Sequence, residues 1–83
     1  MEKRKLAEEI VFFCCRYSLI NNLEYTSASV QNVEGQLENC WFVEHLIHLF
    51  ITKAKYKKGL DTKKLKELVL ELEKIRLDLE YDE

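Results

Sequence analysis

The chain has 83 residues, with 13 Lys and Arg against 15 Asp and Glu, a formal net charge of −2 and 47% hydrophobic content. That balance suits a small globular chain and lacks the strong positive charge of a dedicated nucleic-acid binder. No run approaches the roughly 18 apolar residues of a membrane span, since Ile10–Ile20 is interrupted by Arg16 and Cys40–Ile51 by Glu44, His45 and His48.

At this length a single domain, residues 1–83, buries a small share of its surface and its core is marginal, which favours completion by a partner. Proline is absent and glycine occurs only at Gly35 and Gly59, so an all-α chain with short connections is expected. Cys14, Cys15 and Cys40 are an odd number without a Cys-x-x-Cys pair, the pattern of a reduced, cytoplasmic protein. The opening Met1-Glu2-Lys3-Arg4-Lys5 is followed by Glu8 and Glu9 and by no small-residue cleavage site, so no signal peptide is expected.

A first helix is expected near residues 2–23, because Leu6, Ile10, Phe13, Cys14, Tyr17 and Ile20 recur at spacings of three and four and form an inward stripe. Phe12, Cys15, Leu19 and Leu23 make a second stripe that a monomeric three-helix bundle does not need. Asn22 to Ser29 is rich in residues whose side chains compete with helix, so the first connection is placed there, with Ser27 or Ser29 capping the next helix.

The second helix is expected near 28–58. Val30, Val33, Leu37, Cys40, Val43, Ile47, Phe50, Ile51 and Ala54 share one side, and Phe42, Leu46 and Leu49 add a patch beside it. His45 and His48 lie on the narrow polar strip that remains, and Trp41 has polar neighbours. A segment so apolar at its middle must be covered from more than one direction, which makes it the central helix, Ile47 buried and Trp41 only partly so. Gly35 costs this helix about 1 kcal/mol relative to alanine and marks a place for a bend or a late start.

Gly59, after Lys55, Lys57 and Lys58, is the expected stop, and Asp61 or Thr62 the cap of a third helix near 62–80. Leu65, Leu68, Val69, Leu72, Ile75 and Leu79 form its inner face, while Leu70, Leu77 and Tyr81 lie almost opposite. The tail from Tyr81 is expected to fray. The fold expected is therefore all-α, a three-helix antiparallel bundle with a long central helix, completed by dimerisation. The surplus apolar residues Phe12, Leu19, Leu23, Leu70, Leu77 and Tyr81 are the candidate interaction surface.

Chemistry-bearing constellations are sparse. Cys40, Glu44 and His48 follow at i, i+4 and i+8, with His45 one turn before His48, but no other helix offers a histidine and no Glu precedes either histidine by three. No Ser-His-acid or Cys-His set and no glycine-rich phosphate loop can be built. No catalytic residue, cofactor or metal is expected.

Lys55, Lys57, Lys58, Lys63, Lys64 and Lys66 surround the second turn with only Asp61 among them, a basic tip suited to nucleic acid or to an acidic protein. The run Gly59 to Leu68 resembles the second half of a helix-turn-helix, which implies DNA contact through the following helix. Leu70-Glu71-Leu72-Glu73-Lys74-Ile75, after Lys58-Gly59-Leu60, is similar to the short helical-hairpin phosphatases of sporulation response regulators, without their Ser-Gln pair and with Glu73 in place of Asp. The expected function is that of a small helical regulator, inhibitor or adaptor acting by protein–protein contact, with itself and another protein as partners. Nucleic-acid binding through the lysine-rich turn is the alternative and a metal-dependent enzyme a distant third.

Overall fold

The inward stripe of the first segment does build a helix in the computed structural model, but that helix is shorter than its apolar rhythm. The structure describes residues 1–81, the side chain of Tyr81 excepted. The place of Tyr81 in the outer stripe and the fraying of the tail fall outside the described residues. Four α-helices follow in order, α1 (Lys3–Arg16), α2 (Ser27–Gln36), α3 (Cys40–Thr52) and α4 (Thr62–Tyr81), with a short 3-10 turn at Ala54–Tyr56. There is no strand among the described residues. Among the described residues no helix is long and apolar enough to cross a membrane.

α1 stops at Arg16 and not at Leu23, because Ser18 takes the left-handed conformation (φ 52°). The Leu19 amide then donates to the Cys14 carbonyl at 2.9 Å and the Ser18 amide to the Cys15 carbonyl at 3.3 Å, which is the double closure of a Schellman cap with serine in the usual glycine position. The phase of the side chains changes from there on. Leu19, expected on the outer stripe, is 2% exposed, and Ile20, expected inside, faces water.

The expected central helix is two helices. After Gln36 the amides of Leu37 and Glu38 are still taken up by the preceding turn, but Asn39 is extended (φ −102°, ψ 112°) and its Oδ1 accepts from the amides of Trp41 at 3.0 Å and Phe42 at 3.4 Å. An asparagine that satisfies orphan donors in this way starts a new helix, so α3 is restarted and α2 is not prolonged. The cap of α2 is Thr26, whose Oγ1 accepts from the Ser29 amide at 3.1 Å, in place of the expected Ser27 or Ser29. Gly59 does turn the chain in the left-handed region (φ 68°), and Asp61 caps α4 by accepting from the Lys64 amide at 3.0 Å.

The break lets the chain pack as two helix pairs, α1 chiefly on α2 and α3 chiefly on α4, with α1 also meeting α4. Leu6, Ile10, Phe13 and Cys14 of α1, Val30 and Val33 of α2, Val43, Leu46, Ile47 and Phe50 of α3, and Leu68 and Leu72 of α4 form one core. The Phe13 and Phe50 rings meet edge-on with centroids 5.6 Å apart. Tyr17 packs on Phe13, ring centroids 4.8 Å apart, and its hydroxyl donates to the Gly59 carbonyl at 3.3 Å and accepts from the Asp61 amide at 2.9 Å. The end of α1 is thus tied to the turn before α4. Trp41 is 71% exposed.

Candidate functional site

One exposed apolar surface lies along α3 and α4. Leu65, Val69 and Leu72 turn toward the core, and at about 100° per residue Leu70 and Leu77 must then stand on the solvent side of α4; they are 56% and 48% exposed. Ile51, read from the sequence as core, is 50% exposed at the end of α3, because it lies at the edge of the arc whose centre is Phe50. Between the two helices runs an open groove of about 350 Å³ lined by Phe50, Ile51, Lys55, Leu65, Lys66, Val69, Leu70 and Glu73. A second depression, sharing Ile51 and Glu73, continues it past Ile47 and Arg76.

The other expected interaction residues do not join this face. Phe12 is exposed but sits edge-on to Tyr25, ring centroids 5.7 Å apart, in a separate hollow with Lys5, Glu8, Glu9 and Lys64. Leu23 is half-buried beside Ala28 and Val33. With Leu19 in the core, the stripe expected on the first helix is dispersed, because α1 ends at Arg16, after Phe12 and Cys15 and before Leu19 and Leu23.

Of the six lysines around the turn, Lys64 is engaged internally. Its Nζ lies 3.0 Å from Glu9 Oε1 and 3.5 Å from Glu67 Oε1, and the hydrogen bond to Glu9 holds its ammonium above the ordinary lysine range against the opposing effect of burial. Lys55 stands over the Tyr56 ring, 5.1 Å from its centroid. Lys57, Lys58, Lys63 and Lys66 are exposed.

His45 stacks on Trp41, ring centroids 5.4 Å apart and 18° between planes, while the His48 carbonyl accepts from the Thr52 hydroxyl at 2.7 Å. Neither imidazole joins Cys40 and Glu44. The residue brought to that pair is Glu80 of α4, with one ligand atom each of Cys40, Glu44 and Glu80 within 4.8 Å of one another. Its remoteness in sequence hid it. A thiol and two carboxylates open to solvent lack the closed nitrogen and sulfur shell of a structural zinc site, so no metal is assigned. Burial pushes the Cys14 thiol up to about 12, and burial and then the Glu24 carboxylate raise that of Cys15. Both remain thiols at neutral pH and are poor nucleophiles.

Comparison with models of protein families, with curated proteins and with solved structures returned no match.

Proposed function

We propose that this protein acts by protein–protein contact, as a regulator, inhibitor or adaptor of the cytoplasm, through the α3–α4 face and without a reaction of its own. The observation that carries this reading is that Ile51 and Leu70, each about half exposed, line one groove, with the half-exposed Leu77 two turns further along the same side of α4. Large apolar side chains gathered in this way are favoured where a partner covers them, whereas scattered ones need no explanation. Self-association is part of the proposal, since a chain this short gains a larger core by pairing.

Affinity capture on the tagged protein, from nuclease-treated and untreated extract of its own cell or host, tests this reading. A protein retained after nuclease and lost with Leu70→Glu plus Leu77→Glu supports it. Retention that disappears with nuclease favours the competing reading, in which the exposed Lys57, Lys58, Lys63 and Lys66 meet nucleic acid. That alternative requires polyanion binding that weakens steeply with salt and is abolished by Lys58→Glu with Lys63→Glu.

A further inference from the structure

The charges along the outer face of α4 are arranged symmetrically about Leu70. At about 100° per residue the exposed Leu70 and Leu77 fall within about 20° of each other, Lys66 and Glu73 lie on one flank of that line, and Lys63, Glu67, Lys74 and Asp78 lie on the other. On the first flank Lys66 is four residues before Leu70 and Glu73 three after. On the second, Glu67 is three before and Lys74 four after, and Lys63 is seven before and Asp78 eight after. Each basic group therefore has an acid on its own flank, at the same distance on the other side of Leu70, to within one residue or about 1.5 Å of helix rise.

We propose that a second copy of this chain occupies the face, with the two α4 helices antiparallel and crossed at Leu70 on a two-fold axis. In an antiparallel pair each flank meets the same flank of its partner, so Lys66 stands opposite Glu73 of the second copy, Glu67 opposite Lys74, and Lys63 opposite Asp78, each contact occurring twice. Leu70 meets Leu70 at the axis. A parallel pair would set the lysines at the start of one α4 beside those of the other. Lys63, Lys66, Glu73 and Asp78 make no ion pair among the described residues, which leaves them available across the axis. The groove beside Leu70, whose lining includes Lys66, Glu73, Val69 and Ile51, extends the covered apolar strip onto α3. Charge complementarity of this kind sets orientation and register more than bulk affinity. The inference rests on the contact reading above and adds to its self-association the face, the antiparallel orientation and the register.

Sedimentation velocity over a wide concentration range, with helix content followed by circular dichroism, tests it by charge exchange. The wild type dimerises, and its dissociation constant rises with salt. Lys66→Glu alone or Glu73→Lys alone places like charges in contact at two sites and raises that constant roughly tenfold or more. The double exchange restores it to within about threefold of the wild type, whereas Leu70→Glu gives a folded monomer. A wild-type dimer indifferent to the single exchanges, or not restored by the double, overturns the antiparallel register and leaves self-association standing. A wild type that stays monomeric at every concentration overturns the second copy as occupant, while the capture experiment above still decides the contact reading independently.

Discussion

Tyr17 closes α1 and holds the turn before α4 through one hydroxyl that both donates to Gly59 and accepts from Asp61. Tyr17→Phe keeps the ring against Phe13 and removes only those two bonds, so a loss of about 1 kcal/mol is expected in urea unfolding. The Asp61 amide should lose protection from hydrogen exchange in the same variant. Cys14 gives a pH signature. Its thiol titrates at about 12 in the fold against 9.0 when exposed, so between those values the unfolded chain has released a proton that the folded chain keeps. The fold loses stability as pH rises through that window, by at most about 1.4 kcal/mol per pH unit from this group. Cys14→Ala should flatten that alkaline slope in unfolding curves measured from pH 8 upward.

At the scale of the elements, the pair Gly35 and Asn39 separates propensity from capping. A Cβ at Gly35 meets nothing within 4 Å, so Gly35→Ala should stabilise α2 by about 0.5–1 kcal/mol. Asn39→Ala leaves the amides of Trp41 and Phe42 without their acceptor and should cost about 1 kcal/mol. Thermal melts of the two variants should therefore shift in opposite directions. If α2 and α3 were a single continuous helix, Asn39→Ala would stabilise it instead. These same residues explain what the sequence displays and what it conceals. α4 was legible because Gly59 and Asp61 are strong punctuation and the inner leucines keep their rhythm. The break was concealed because Val33, Leu37 and Cys40 carry the three-four rhythm through it, and periodicity reports which face is apolar without reporting whether the backbone is continuous. The end of α1 was concealed because a serine fills the left-handed position that glycine usually marks. Leu70 and Leu77 could be read as outward from their opposition to Leu68 and Leu72. Ile51 could not, being adjacent in sequence to a fully buried phenylalanine.

For the whole molecule, one core shared by four helices means that a defect anywhere in it is global. Ile47 is packed among buried residues of that core, and Ile47→Asp inserts a carboxylate without a partner, at a cost of several kcal/mol against a total stability of about 5–15 kcal/mol for ordinary domains. Loss of the cooperative melt and of helical circular dichroism is expected. A folded Ile47→Asp variant would show that α3 is not the centre of the core.

Because Asn39 separates α2 from α3, the contacts within each helix pair close around a connection of about ten residues, and loops of that length close within about 100 ns, before the shared core is complete. The pairs should form early and dock late, giving overall folding in the microsecond to millisecond range typical of helical proteins with local contacts. The bond from Tyr17 to Asp61 spans the two pairs, so Tyr17→Phe should speed unfolding and leave the refolding rate of the chain nearly unchanged.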